Sequence, residues 1–371
     1  ADPTVTLVND APVLNPSVEP SLTAIAEDIA DASNLGTAVS AIVVDGSITD
    51  EDGSAVEAIY VTAVDATNGS WEFLTDSGES WTAIDFSRGN VDKGLLLDAI
   101  DEIRFKPVAD FNGSADLTFG AWDKSMGRAG NYVDVSLTGA DTAFSSATDT
   151  ASIDVTPVND APVVDTANST LTGSVTENAS GDTTPAQDAV AIGNVAFTDV
   201  DAGDSLDVST STGDGEVTLA YTASGDTTAS TLPSGLEAAA LRGALSITDA
   251  STGAWEYDAS PLDLEALRSG DTVELTYTVT GADAAGATAD DQVNVTLTGT
   301  NDAAVVGGDT TGAVDEGDEG DAPVTATGTL TISDVDAEDS PSFADVQSTA
   351  GVNGFGSFEL TNGTWTYTLD Q

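Results

Sequence analysis

Residues 272–280 read Thr-Val-Glu-Leu-Thr-Tyr-Thr-Val-Thr, with Val273, Leu275, Tyr277 and Val279 at every second place. Successive side chains of a strand point to opposite faces, so this spacing gathers four apolar groups on one face and Thr and Glu on the other. The stretch predicts a β-strand with one buried and one wet face. Val293, Val295 and Leu297 repeat the pattern in the next run. Nearer the start, Ile42-Val43-Val44, Ile59-Tyr60-Val61, Leu117-Thr118-Phe119 and Ile153-Asp154-Val155 read as strands too. Asn68-Gly69, Thr252-Gly253 and Asn362-Gly363 each precede a Trp-bearing strand, as a tight hairpin turn would. Helical periodicity is nearly absent, and only Val91–Ile100 and Pro261–Arg268 are expected to form a turn or two of helix. Short alternating strands divided by Gly- and Asp-rich turns imply an all-β chain of β-sandwiches.

The chain repeats itself. Asn9-Asp-Ala-Pro-Val13 recurs as Asn159-Asp-Ala-Pro-Val163 and as Asn301-Asp-Ala-Ala-Val305. A Glu follows each Asn, at Glu27, Glu177 and Glu316. An Asp-x-Asp follows as Asp50/Asp52, Asp199/Asp201 and Asp334/Asp336. A Gly-x-Trp-x-aromatic run follows as Gly69–Phe73, Gly253–Tyr257 and Gly363–Tyr367. Four marks in one order, three times over, divide the chain into repeats of 1–158, 159–300 and 301–371. The Asn-Asp-Ala-Pro segments fall at the joins, where Pro12 and Pro162 stiffen the backbone. The second repeat runs 46 residues past Trp255 to Asn301, and the third only six past Trp365. The chain is therefore expected to be part of a longer protein. The alternative is an open third sandwich that borrows strands from a neighbour.

Composition narrows the chemistry. The 371 residues include 8 basic and 64 acidic side chains, a net charge of −56, and neither Cys nor His. Such a chain repels nucleic-acid phosphates and anionic membrane surfaces. Without Cys there is no disulfide, thiolate zinc site or Cys nucleophile; without His there is no Ser-His-Asp set. No P-loop or dinucleotide fingerprint is present, and the chain is not expected to be an enzyme. Six basic residues (Arg88, Lys93, Arg104, Lys106, Lys124, Arg128) lie in the first 128 positions, and only Arg242 and Arg268 follow. Hydrophobic residues are 40% of the chain and fall in ordered patterns, which indicates a folded protein despite the charge. No apolar run of 18 residues suggests a membrane helix. Ala1-Asp-Pro-Thr4 does not read as a signal peptide, so a mature protein or an excised piece is expected.

Only oxygen remains as a metal ligand, which suits a hard cation such as Ca2+ with its six to eight oxygens. Two carboxylates in Asp-x-Asp lie on the same side of an extended segment and repel each other without a cation. At the first complete join Glu27, Asn159, Asp160, Asp199, Asp201 and Asp283 can be assembled into such a cage. Most of the 64 acids must still be solvated surface or turn residues. The repeated Trp71, Trp255 and Trp365 are read as core residues at one structural place. Trp81, in Glu79-Ser-Trp-Thr82, has no counterpart; it is read as packing, with an exposed contact as the alternative.

These residues resemble cadherin repeats and, more closely, the cadherin-like and VCBS-type repeats of large bacterial RTX-type surface adhesins, over nearly the whole chain. The resemblance implies tandem immunoglobulin-like, cadherin-like β-sandwich domains in an extended array. It implies Ca2+ at each join, held by a Glu of the upstream domain, the Asn-Asp linker, the downstream Asp-x-Asp and a further downstream Asp. Here those places fall on Glu27 and Glu177, Asn159-Asp160 and Asn301-Asp302, Asp199/Asp201 and Asp334/Asp336, and Asp123 and Asp283. Asn9, Asp10, Asp50, Asp52 and Asp123 would form an N-terminal half-site. The chain departs from the cadherin pattern at Thr296, where the linker's extra Asp would stand, and no acid-x-Glu motif could be placed. The middle join is expected to bind best and the later one more weakly.

The function implied is a structural extender of a secreted or cell-surface bacterial adhesin. Ca2+ stiffens it, and it projects a distal adhesive domain in cell adhesion or biofilm. Its partners are then the neighbouring repeats of the same polypeptide, with neither nucleic acid nor membrane insertion. A self-assembling filament or layer subunit with strand exchange at the third repeat is a second reading. A carbohydrate-binding module that uses Trp81 is a third.

Overall fold

The computed structural model describes residues 8–16, 19–53, 56–87, 89–178, 189–201, 203–318, 322–336 and 339–370; Ala1–Thr4 and Arg88 lie outside them. The chain is all-β and divides into two compact units, Ala1–Asn159 and Asp160–Gln371.

The first unit contains β1 (Val13–Leu14), β2 (Ile25–Ala26), β3 (Thr37–Ala38), a one-turn helix α1 (Val39–Ile42), β4 (Ile48–Thr49), β5 (Ile59–Val64), β6 (Gly69–Leu74), β7 (Thr82–Ala83), β8 (Lys93–Leu97), β9 (Glu102–Pro107), β10 (Gly113–Trp122), β11 (Tyr132–Asp134) and β12 (Phe144–Thr156). They form a six-stranded sheet, β11-β8-β5-β10-β12-β2, and a four-stranded sheet, β3-β9-β6-β7; β1 pairs with β4. Ile59, Val61, Leu117, Phe119, Ile153 and Val155 of the first sheet share a core with Trp71, Phe73, Ile103 and Phe105 of the second. A second cluster of Tyr60, Leu96, Trp122, Ala143 and Phe144 covers the other face of β5 and β8. Ile59, Tyr60 and Val61 are therefore buried in succession, as in a strand covered on both sides. Nearly all pairs are antiparallel, but β2 runs parallel to the end of β12, with Ile25 opposite Val155.

The second unit contains β13 (Val163–Val164), β14 (Thr172–Thr176), β15 (Val190–Asn194), β16 (Phe197–Thr198), β17 (Asp207–Thr210), β18 (Thr218–Thr222), α2 (Ala238–Arg242), β19 (Leu245–Asp249), β20 (Ala254–Asp258), β21 (Thr272–Ala282) and β22 (Thr288–Thr298). It continues with β23 (Val305–Gly308), β24 (Val324–Ser333), β25 (Val346–Ala350), β26 (Gly356–Thr361) and β27 (Thr364–Leu369). The sheet β14-β22-β21-β17, which β18 also joins, packs on β15-β20-β19; a separate sheet runs β23-β24-β27-β26-β25. The two alternating runs meet in register, Val273 opposite Leu297, Leu275 opposite Val295 and Tyr277 opposite Val293. All six are fully buried. β14 pairs with β22 in parallel, as β2 does with β12.

Several sequence expectations fail for identifiable reasons. Ile42-Val43-Val44 is not a strand. Val39 and Ile42 sit one helical turn apart in α1 and bury the same side. Residues 91–100 are not helical but contain β8, which pairs with both β5 and β11, so four successive residues from Gly94 to Leu97 are buried. Residues 261–268 form successive tight turns, closed by Leu262 N–H to Ala259 O and Leu267 N–H to Leu264 O. Asn362-Gly363 makes the expected hairpin of β26 and β27, with both residues at positive φ, 46° and 78°. Asn68-Gly69 instead joins β5 and β6, which belong to different sheets.

The three Trp strands do not occupy one place. Trp255 on β20 and Trp365 on β27 each lie opposite a glycine, Gly193 and Gly328. Each donates its indole N–H to a backbone carbonyl, Thr170 O at 2.9 Å and Asp309 O at 2.5 Å. In the first unit the strand beside β3 is β9, which brings Phe105 inward, and Trp71 lies one strand further on, 5.2 Å from the Phe105 ring. Trp81 is half-buried with the Arg104 guanidinium 4.3 Å from its ring centre. It roofs the ion pair of Arg104 with Glu72, so its role is packing.

A Cβ on Gly193 would stand 2.5 Å from Trp255 Cζ2 and 2.6 Å from Thr170 O. Gly193→Ala is expected to lower stability by about 1–3 kcal/mol. Ile192→Ala on the neighbouring exposed position should change it by less than about 0.5 kcal/mol. Denaturant unfolding compares them, and equal midpoints would refute this packing.

Candidate metal centre

The acids recur in one hydrogen-bonded arrangement. The backbone N–H of the linker Asp donates to the second carboxylate of Asp-x-Asp: Asp10 to Asp52 Oδ2 (2.6 Å), Asp160 to Asp201 Oδ2 (2.8 Å) and Asp302 to Asp336 Oδ2 (2.8 Å). That second Asp donates its own N–H to the first: Asp52 to Asp50 Oδ1 (2.8 Å), Asp201 to Asp199 Oδ1 (3.0 Å) and Asp336 to Asp334 Oδ1 (3.2 Å). The Asp-x-Asp spacing thus folds into an Asx turn, with one carboxylate clamping the linker.

The glutamates are placed equally regularly. Glu27 follows β2 and donates its N–H to Thr156 O, while its Oε1 accepts Val158 N–H at 2.6 Å. Glu177 follows β14 and donates to Thr298 O, while its Oε2 accepts Thr300 N–H at 2.9 Å. In both cases the parallel strand pair sets the Glu beside the last residues before Asn-Asp.

In the first unit, Asn9 donates to Asp123 Oδ2 at 2.8 Å, which joins the N-terminal Asn to the expected distal Asp. Asn112 donates to Glu27 Oε2 at 3.2 Å, and Glu27 is only 1% exposed. In the second unit, carboxylate oxygens of Asp199, Asp204 and Asp283 lie within 4.8 Å of one another. Asp283 is buried and accepts Gly286 and Ala287 N–H through Oδ1. The residues expected at the first complete join are therefore divided, Glu27 and Asn159 in one unit and Asp160, Asp199, Asp201 and Asp283 in the other.

The set around Asn301-Asp302 lies wholly within the second unit. Glu177, Glu265 and Asp302 gather within 4.8 Å, as do Asp334, Asp336 and Asp339. The bond from Asp302 to Asp336 ties the two groups together. Asn301 is exposed and turns its amide onto Asp302 O. Glu177, Asp302 and Asp336 are 6%, 2% and 3% exposed. Glu177 Oε1 and Asp336 Oδ1 are buried without a hydrogen-bond partner.

Among the described residues the ion pairs are Arg104–Glu72, Lys106–Asp31, Lys124–Asp98, Arg242–Asp214 and Arg268–Asp271, all elsewhere. Burial, aided by the charges of Asp302, Glu265 and Asp336, pushes the Glu177 carboxyl up to about 8. Burial and then Asp302 raise Glu265 and Asp336 as well. Unpaired buried carboxylates are costly, and a hard cation with oxygen ligands relieves that cost. The donor set therefore fits Ca2+ on its own chemistry.

Three of these residues were not anticipated. Asp204 and Asp339 complete a recurring Asp-x-Asp-x-x-Asp, which was visible as a spacing in two repeats. Glu265, in Asp263-Leu264-Glu265, lies 88 positions after Glu177, and only the fold joins them.

No family model matches the sequence, and no curated protein is similar to it. Among solved structures the chain is similar to PcdhgB3 EC1-4 (13% identity, TM-score 0.38, covering 100% of this chain and 67% of that one). It is also similar to Protocadherin Gamma B2 extracellular cadherin domains 1-5 (15%, 0.40, 98% and 53%) and to human CDH23 EC21-23 (15%, 0.38, 95% and 91%). It spans about half the length of the Protocadherin Gamma B2 chain, 53%. These likenesses are of fold alone.

A carboxyl raised in the folded state favours the protonated fold, so its stabilisation is complete below the unfolded value and lost as pH rises through the folded one. With a chelator present, the melting temperature of the second unit is expected to fall between about pH 5 and 8.5, the window set by Glu177. Glu177→Gln should flatten that slope, as calorimetry can check. An unchanged slope in the variant would contradict the assignment.

Proposed function

We propose that the chain is a structural extender of a secreted or cell-surface bacterial adhesin, its repeats stiffened by Ca2+ at their joins. It projects a distal adhesive domain. One observation carries the reading: Glu177 and Glu265 of the second repeat converge with Asp302 of the third, which is bonded to Asp336, and Glu177 Oε1 and Asp336 Oδ1 are buried without a hydrogen-bond partner. Asp334 and Asp339 stand beside them. Ligands drawn from two successive repeats make the cation a cross-link, so its binding energy resists bending at Asn301-Asp302.

The remaining acids support an extracellular setting rather than the join. Two or three Ca2+ per join remove about four to six negative charges, and the chain carries −56. The rest keeps such a protein soluble and apart from its copies, and salt at about 0.15 M screens it within about 8 Å. Among the described residues no helix is long and apolar enough to cross a membrane.

A ligand bound only by the folded state stabilises it by about 2.7 kcal/mol at a hundred times its Kd. Ca2+ is therefore expected to raise the melting temperature by several degrees, and Mg2+ by much less because it holds its waters and demands octahedral geometry. Glu177→Gln with Asp336→Asn should abolish most of the calcium effect at this join. Because the chain has no Cys, labels on Thr278→Cys and Thr361→Cys can report the distance between the second and third repeats. Calcium should narrow that distribution relative to chelator. A melting curve indifferent to calcium, or equal widths, would count against the proposal.

A further inference from the structure

The first unit carries one construction that a spacer does not need. Residues 123–143 link β10 to β12, where residues 283–287 suffice between β21 and β22. The longer segment adds β11 at the edge of the six-stranded sheet and lays Ala129, Val133 and Val135 against the cluster of Tyr60, Leu96 and Trp122. It also brings two of the chain's eight basic residues, Lys124 and Arg128. Long connections of this kind are where binding residues concentrate.

The loops after β6, β8 and β10 meet around a cavity of about 310 Å³, lined by Asp76, Asp98, Asp101, Lys124 and Arg128, among others. Its walls are fixed from beneath. Asp101 is 1% exposed, and its two oxygens accept Asp76 N–H at 2.9 Å and Asp98 N–H at 2.7 Å. Asp101 O accepts Val39 N–H and Ala99 O accepts Ser40 N–H, which ties the turn between β8 and β9 to α1. Trp122 donates its indole N–H to Met126 O at 2.7 Å, and Gly130 donates to Leu96 O, so the long segment is pinned on either side of Arg128. Lys124 is paired with Asp98.

Two charged groups are left over. Arg128 and Asp76 line the same cavity, yet among the described residues neither side chain makes an ion pair or a hydrogen bond. In a chain of 64 acids, that guanidinium reaches none of them. Ile100, 60% exposed, adds an apolar surface to the cavity, and Thr75 and Ser77 add hydroxyls. Simple ions do not suit this lining. Lys124 and Arg128 oppose a metal cation, and both oxygens of Asp101 are engaged. Three Asp and the net charge of −56 oppose an anion. A neutral polyol satisfies both free groups: one hydroxyl donates to Asp76, a neighbouring one accepts from Arg128, and a C–H face lies on Ile100.

We infer that this cavity is a saccharide site that takes a neutral pyranose, so that the first repeat is adhesive in its own right as well as a spacer. Arg128 and Asp76 read adjacent hydroxyls of the ring, and Asp101 holds the loop of Asp76 in place. Trp81, the aromatic residue that the sequence offers for such a role, takes no part, because it packs over Arg104.

Saturation-transfer NMR on the full chain tests this with the methyl glycosides of glucose, galactose and mannose and with N-acetylglucosamine, and with glucuronate as the charged comparison. At least one neutral probe should bind with millimolar affinity. Arg128→Gln and Asp76→Asn should each weaken it about tenfold or more, since each removes a charge-assisted hydrogen bond. Both side chains are exposed, so the variants should keep the parent's melting temperature. Glu79→Gln, exposed and outside the cavity, should leave binding unchanged. Failure of every neutral probe to bind would overturn the inference. So would binding that survives both cavity substitutions, or a preference for glucuronate over the neutral probes, which would make this an anion site.

Discussion

The arrangement depends on a carboxylate that must serve two masters. The second Asp of each Asp-x-Asp accepts the backbone N–H of the linker Asp, and the first accepts the N–H of the second. Each bond to an ionised acceptor is stronger than a neutral one. Together they hold the chain at the start of each repeat in one conformation. In the second unit they also leave carboxylates gathered, Asp199 with Asp204 and Asp283, and Asp334 with Asp336 and Asp339, within 4.8 Å. The geometry that orders the linker there is therefore also one that could hold a cation.

The glutamates extend that logic to the preceding repeat. A parallel strand pair carries Glu27 or Glu177 to the level of the residue before Asn-Asp, where one oxygen caps the backbone of Val158 or Thr300. For Glu177 the other oxygen is left buried and unpartnered. Breaking the parallel pair would release the Glu, and losing the Glu would leave a linker N–H uncapped. The sheet and the acid set are thus parts of one construction. The raised carboxyls of Glu177, Glu265 and Asp336 report its electrostatic cost when only protons are available to relieve it.

Much of this was legible in the residues. Period-2 alternation located β21 and β22 because one face of each is dry and the other wet. It failed at β8, where both faces are covered and the pattern becomes a continuous apolar run. It failed at Ile42–Val44, where an apolar triplet serves a helical turn as readily as a strand. Recurrence located the Asn-Asp, Asp-x-Asp and Glu positions, because those bonds are local or repeat with the strand pairing. Glu265 was not legible, since its meeting with Glu177 is set by how two distant loops reach the same end of a sandwich. Trp71 shows the opposite error. A recurring sequence mark does not ensure a recurring place when the neighbouring strand can supply Phe105 instead.

The same parallel pairing explains why the third repeat differs from the second in its energetics. Residues 311–316 share the Thr-Gly-x-Val-x-Glu pattern of β14 and end in Glu316, but among the described residues they belong to no strand ladder. Trp365 still finds its carbonyl and its glycine, so the β24-β27-β26 sheet forms on hydrogen bonds and one indole contact. Tyr367 and Phe358 stay half-buried there, where Tyr257 is fully buried, and burying a large side chain is worth about 1.5–3 kcal/mol.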